Sequence, residues 1–138
     1  MIGRVMRSHI EAGGQSLVET ALMLPIIAIM LVGTLDAARL LLATVALTSG
    51  VLAGSQYGAL SSTYAVDTSG IASAVRNETT PIGGTSTNPT VTSSTGTDGN
   101  SETYVTVSAT YSWSSLFAYP GLPRSISITR SAVMQVRH

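Results

Sequence analysis

The chain has 138 residues, enough for one small domain and an anchor but not for two folded domains. Charged residues make up only 10% of it, against about a quarter in ordinary soluble proteins, and the net charge is zero. No basic cluster exists to bind nucleic acid, and the lack of cysteine excludes disulfides, thiolate metal sites and cysteine nucleophiles together.

Met1 to Gly14 is polar and carries Arg4, Arg7, His9 and Glu11. From Leu17 to Leu35 the chain is apolar, interrupted only by Glu19, Thr20, Pro25, Gly33 and Thr34. A helix over this stretch rises roughly 28 Å, about one hydrocarbon core. The arginines precede the span, while Asp36 and Arg39 nearly cancel after it, so the positive-inside rule puts the N-terminus in the cytoplasm and the rest outside. A cleaved secretory signal fits less well, because its apolar core would begin with Glu19 and Leu35-Asp36-Ala37-Ala38 is a poor cut site.

An acid near the start of a lipid-facing helix is costly unless it is shallow, neutralised or paired. Glu19 lies one helical turn after Gln15, so a cut before Gln15 would create an α-amino group suited to balance it. The order Gly14-Gln15-Ser16-Leu17-Val18-Glu19, then Pro25, then Gly33-Thr34-Leu35-Asp36-Ala37-Ala38-Arg39, resembles the start of type IV prepilins and, more narrowly, of TadE-like minor pseudopilins. A weaker echo runs from Ile126 to Met134. Gln15 is neither Phe nor Met, which departs from the major pilins and suits the TadE-like group better.

The resemblance implies that a prepilin peptidase cuts between Gly14 and Gln15 and that Glu19 pairs with a mature N-terminus during assembly. It also implies other pilin subunits, the assembly machinery of a tight-adherence (Flp) pilus and the inner-membrane bilayer as partners, and Asp36 with Arg39 as the close of the membrane helix. The alternative is an unprocessed, membrane-anchored adhesin or envelope scaffold.

Beyond Arg39 there is no charge until Asp67. Gly50, Gly54 and Gly58 recur every four residues with Ala46 one step earlier, all on one helical face, where small residues let another backbone approach. Each Gly costs a helix about 1 kcal/mol relative to Ala, so the stripe needs a reason. Either the folded head packs on its own helix there, or other subunits do. The helix is expected to run to about Leu60, with a kink or a freed carbonyl at Pro25.

Asp67-Thr68-Ser69 reads as the cap of a short amphipathic helix with Ile71, Ala72 and Val75 inward, ending near Asn77. Residues 79–101 are rich in Thr, Ser and Gly and read as a surface loop with one edge strand at Thr90 to Ser93. Asp98-Gly99-Asn100 marks a turn, without the further acids of a calcium loop. A strand follows with Val105, Val107, Ala109 and Tyr111 on one face and Tyr104, Thr106, Ser108 and Thr110 on the other. Trp113, Leu116, Phe117 and Tyr119 are expected to pack as core and lid. A last strand alternates Ile126, Ile128, Ala132, Met134 and Val136, with Arg130 the odd member on that face.

The expected architecture is α+β: a leader (1–14), a transmembrane helix (15–39), and an extracytoplasmic domain (40–138) in which the helix continues as a stalk against a small antiparallel sheet. Nothing in it suggests chemistry. The two histidines are His9 and His138, the carboxylates are scattered, and no phosphate loop or metal spacing occurs. No cofactor, metal or small-molecule substrate is expected. Asn77-Glu78-Thr79 matches a glycosylation sequon, a short and common pattern.

Overall fold

The computed structural model describes the backbone of residues 3–79, 88–118, 121 and 123–137, with side chains from residue 14 onward. The leader's side chains, residues 80–87 of the Thr/Ser-rich stretch and Tyr119 lie outside the described residues. The architecture is α+β, with a long N-terminal apolar helix and a three-stranded antiparallel sheet. Contacts divide the chain into two units, Met1–Ala37 and Ala38–His138.

Helix α1 spans Gly3–Gly58 and includes Pro25. From Gly14 to Leu31 its side chains are exposed all round: Leu17, Leu22, Ile26, Met30 and Leu31 are among them. Two hydroxyls on this greasy surface fold back onto the helix, Thr20 Oγ1 donating to Ser16 O at 2.9 Å and Thr34 Oγ1 to Met30 O at 2.8 Å. Such back-bonds satisfy the hydroxyls without water, a requirement of a helix in lipid.

The second unit has a core of its own. Ala43, Leu47 and Val51 of α1 are buried together with Ile71 and Val75 of helix α3 (Thr68–Thr79) and with Val105, Val107, Ala109, Tyr111 and Trp113 of the central strand. Between α1 and α3 lies one further turn of helix, α2 (Ser62–Ala65), which tucks Ala65 inward. The strands β1 (Thr90–Thr97), β2 (Thr103–Ser114) and β3 (Ser125–Gln135) form a meander in the order β1-β2-β3. Register places Val91, Ala109 and Arg130 abreast, and likewise Ser93, Val107 and Ala132, on the core-facing side. Arg130 is exposed despite that position and donates from Nη1 to the Thr129 carbonyl at 3.0 Å.

The opposite face of the sheet is uncharged and almost wholly hydroxyl, with Thr92, Ser108 and Ser131 abreast and Thr90, Thr110 and Thr129 abreast. Thr110 and Thr129 bond to each other across the strands at 3.0 Å. Thr and Ser cover a sheet face that meets no apolar layer, so the alternation of β2 follows from having helices on one side only.

Two expectations need correction. The stretch 79–101 is not a loop throughout: β1 occupies Thr90–Thr97, twice the length of the edge strand read at Thr90 to Ser93. Its Thr-rich sequence suits a pleated surface, and Tyr104 opposite Gly96 covers the gap a glycine leaves on an edge strand. The aromatic cluster does not close into a core either. Trp113 is 7% exposed, but Leu116 and Phe117 are 56% and 57% exposed.

The β1–β2 turn is organised by Asp98, whose Oδ1 accepts the backbone N–H of Asn100 and of Glu102, both at 2.9 Å. Ser101 completes it with φ of 67°, a left-handed conformation tolerated in tight turns. The carboxylate is thus used by its own backbone. No grouping of three or more metal-binding side chains occurs among the described residues.

Candidate assembly site

The sequence singles out three groups along α1, and the structure treats them differently. Gly14 and Glu19 lie on the bare part of the helix, and a Cβ added to Gly14 would touch nothing within 4 Å. Gln15 and Ser16 are exposed as well, so among the described residues no side chain covers this stretch. Glu19 stands on the same surface as Leu17, Leu22 and Met23, an acid with apolar neighbours and open space around it. This segment is long and apolar enough to cross a membrane, by length and composition.

Asp36, near the end of the first unit, is only 5% exposed, unlike the residues before it. Arg39, at the start of the second unit, is half-buried.

The small-residue stripe belongs to the second unit and is covered by it. A Cβ at Gly50 would lie 2.7 Å from the Thr79 methyl and 2.9 Å from the Val75 carbonyl oxygen. At Gly54 it would lie 2.5 Å from a Val75 methyl and 3.4 Å from the Ile71 carbonyl oxygen. At Gly58 the neighbours are Val105 at 3.1 Å and Ile71 at 3.2 Å. Ala46, one turn earlier, is half-buried against the same core. Of the two explanations for the stripe, the geometry shows the internal one: α3 and β2 approach α1 where it has no side chains. Three glycines at about 1 kcal/mol each in helix propensity are offset by the packing this closeness permits.

Two polar residues are drawn into the contact. Ser55 is fully buried and donates to Leu52 O at 2.9 Å, and Thr79, 4% exposed, donates to Val75 O at 3.0 Å. The sequon hydroxyl at Thr79 is therefore enclosed and engaged. Buried hydroxyls bonded to their own helix cost little, because no donor is left unmet.

A fourth group, centred on Asp67, is legible only in part from the sequence. Asp67 accepts the Gly70 N–H at 2.9 Å, the Ser69 hydroxyl at 2.8 Å and the Tyr57 hydroxyl at 2.9 Å. It caps α3 and ties that helix back to α1. The Gly70 N–H, then the Ser69 and Tyr57 hydroxyls, hold its carboxyl below the usual carboxylate range, while the same bond pushes the Tyr57 phenol up. A Cβ at Gly70 would meet the carboxylate of Asp67 and the phenol of Tyr57, so a larger residue there has to displace their bond. The cap was legible from Asp67-Thr68-Ser69, but the Tyr57 partner ten residues away left no local signal.

These arrangements serve packing and leave Glu19 on an uncovered apolar helix. No curated protein and no solved structure matches the chain. Residues 14–56 match the family model described as TadE-like protein. That stretch takes in Gly14, Glu19, Pro25, the Asp36 to Arg39 element and the first two glycines of the stripe, so the similarity to TadE-like proteins covers most of the long apolar helix.

Proposed function

We propose that this chain is a minor pseudopilin of a tight-adherence pilus system, a non-enzymatic subunit that supports pilus assembly and surface adherence. The observation that carries the reading is Glu19, set five residues after Gly14 on a bare apolar helix within the matched segment. A prepilin peptidase cuts between Gly14 and Gln15, where the structure leaves the side chains uncovered. Glu19 then pairs with the new α-amino group of its own or a neighbouring subunit, and the apolar surface from Leu17 to Leu35 packs against the corresponding helices of other pilins. Before assembly the subunit resides in the inner membrane with its leader in the cytoplasm and its folded unit outside.

The internal use of the glycine stripe sharpens this reading. Gly50, Gly54 and Gly58 are occupied by α3 and β2, so subunit contacts fall on the bare helix before Ala38 and on other faces. In such a system the helix supplies both the anchor and the joint, and no catalytic group is called for.

The test is Glu19→Ala in the full chain, expressed in its own cells. Membrane insertion and loss of Met1 to Gly14 persist, seen in the intact mass of the membrane-bound protein, while incorporation into pili or support of piliation is lost. Normal piliation with the variant refutes the role of Glu19. A wild-type protein whose mass retains Met1 to Gly14 favours an unprocessed, membrane-anchored adhesin or scaffold instead.

A further inference from the structure

The register of the sheet decides which backbone groups of its outer strands point away from it. The Val136 N–H donates to Thr103 O and the Ser115 N–H to Arg124 O, so the even-numbered residues of β3 bond to β2. Its odd residues, from Ser125 to Gln135, therefore turn their N–H and C=O groups outward, and no described strand lies on that side. Two bonds agree with this assignment: Arg130 Nη1 reaches the Thr129 carbonyl, and the Arg137 N–H, the next odd one, donates to Ala59 O at 2.9 Å. On β1 the Asp98 N–H bonds to Glu102 O, so the even residues face β2, while Val91, Ser93, Thr95 and Thr97 face outward.

Natural sheets blunt such edges with proline, lysine, a bulge or a short strand. Strand β3 uses none of these: it has eleven residues, an unbroken register and one charge, Arg130. Arg130 caps one outward carbonyl, and Ser131, Val133 and Gln135 beyond it are exposed. A row of alternating N–H and C=O groups is matched by another extended strand.

Charge selects which strand. From Thr103 to His138 the side chains include Arg124, Arg130 and Arg137 and no acid. Residues 67–102, which take in α3, β1 and the β1–β2 turn, hold Asp67, Glu78, Asp98 and Glu102 against Arg76. The sheet thus has a basic edge at β3 and an acidic flank at β1. Two β3 edges together would oppose arginines, whereas β3 against the β1 of another copy joins opposite charges.

The pleat sets the direction. In a parallel pair the odd residues of β3 lie opposite even residues of β1, and both carry their side chains on the hydroxyl face. The half-buried Ala132 and Met134 then stay on a side that helices flank in both copies. An antiparallel pair would match odd with odd and set the hydroxyl face of one copy beside the helix-covered face of the next.

We propose that β3 pairs in parallel with β1 of a second copy of this chain, extending the sheet from subunit to subunit. The register that brings Arg137 level with the partner's Asp98 sets Val133 beside the partner's Ser94 and Ser131 beside the partner's Thr92. Such a contact is head-to-tail and leaves one β3 and one β1 open at its ends, as a growing assembly requires. It lies wholly within the folded unit and does not depend on Glu19 or on the apolar helix.

Because the chain has no cysteine, single cysteines report this pairing without background. Full-length copies with Val133→Cys are mixed with copies with Ser94→Cys in detergent micelles and treated with a short bismaleimide. Both positions are exposed on the hydroxyl face, so the core is left intact. Mixed dimers are expected at several times the yield of either variant alone, and of Ser127→Cys with Ser94→Cys, which the register sets six residues apart. Arg137→Glu in the Val133→Cys copy should cut the yield severalfold. Val133→Cys crosslinking to itself as well as to Ser94→Cys indicates paired β3 edges and overturns the proposal. A higher yield from Ser127→Cys than from Val133→Cys indicates the antiparallel arrangement and overturns it as well. So does a mixed yield no higher than that of the single variants, both for this pair and for Ser131→Cys with Thr92→Cys, in proteins that melt like wild type. All these cysteines lie in the folded unit, so a failure here is distinct from normal piliation with Glu19→Ala.

Discussion

The glycine stripe offers the sharpest quantitative test of the fold, through Gly50→Ala and Gly54→Ala. On an open helix face Gly→Ala stabilises by about 1 kcal/mol, because the helix loses less backbone entropy. Here the added methyl meets the α3 backbone: at Gly50 the Val75 carbonyl oxygen lies 2.9 Å from the new Cβ and the Thr79 methyl 2.7 Å. A carbonyl inside a helix cannot rotate away, so α3 must shift, and overpacking of this kind costs about 1–3 kcal/mol. The net expectation for Gly50→Ala is destabilisation of about 0–2 kcal/mol. At Gly54 the closest atom is a Val75 methyl at 2.5 Å, on a β-branched side chain with little rotamer freedom, so a similar loss is expected. Ser49→Ala, on an exposed position one residue away, is the matched control and should stabilise slightly. Thermal unfolding of the full chain in detergent reads the difference, at about 4–8 °C per kcal/mol for a domain of this size. If Gly50→Ala melts higher than wild type, as the control does, α3 is not packed on the stripe. A variant that melts normally but fails to assemble would return the stripe to the intersubunit role.

Two further predictions concern the same unit. Leu47 is fully buried among α1, α3 and the sheet, so Leu47→Ala should cost about 2–5 kcal/mol, measurable by denaturant midpoint at unchanged slope. Asp67 has its carboxyl held low by the Gly70 N–H and the Ser69 and Tyr57 hydroxyls. Its contribution to stability is therefore fully present above the unfolded-state value of about 3.9 and is lost as pH falls through the lower native value. Asp67→Ala should lower the melting temperature at neutral pH and flatten the fall below pH 4, and an unchanged acid limb would show that this cap is not formed in solution.

Much of this architecture was legible because its signals are local. The apolar run from Leu17 to Leu35, the glycine repeat, the Asp67 cap and the alternation through Val105, Val107 and Ala109 each depend on spacing within one element. The destination of the glycine stripe was not legible, because small residues invite a neighbour without naming it; only the placement of Val75 and Ile71 decided it. Residues 90–97 are ambiguous in sequence because Thr and Ser serve turns and pleated surfaces alike, and what selects the strand is the register with Thr103–Thr110. Leu116 and Phe117 misled in the other direction. Their apolar character suggested a core, whereas burial requires a facing layer, and the helices cover the sheet only as far as Trp113 and Ile128. Glu19 shows a different limit. Its spacing from Gly14 is plain in the sequence, but its role depends on a partner that a single chain does not contain.

The exposed apolar surface of α1 sets a length problem. Exposed Leu and Val side chains recur from Leu17 to Val45, with Asp36 and Arg39 between Leu35 and Leu41, and a helix of that length rises about 42 Å. A hydrocarbon core is about 30 Å thick, so a helix upright in it would leave roughly 12 Å, or two turns, of apolar surface in water. The excess falls at the outer end, because Glu19 and the polar leader limit how far the inner end can be drawn into lipid. Two turns back from Val45 reaches Ala38, where the folded unit begins. The surplus is thus the stretch holding Leu41, Leu42 and Val45. Lipid headgroups about 5–10 Å deep, or the helices of neighbouring subunits after assembly, would cover that stretch, and the two are separable by when coverage appears. A label at Leu41→Cys shielded in vesicles of the purified chain indicates lipid, whereas one shielded only in assembled fibres indicates a partner, and one open to water in both would refute the premise that this surface is covered at all.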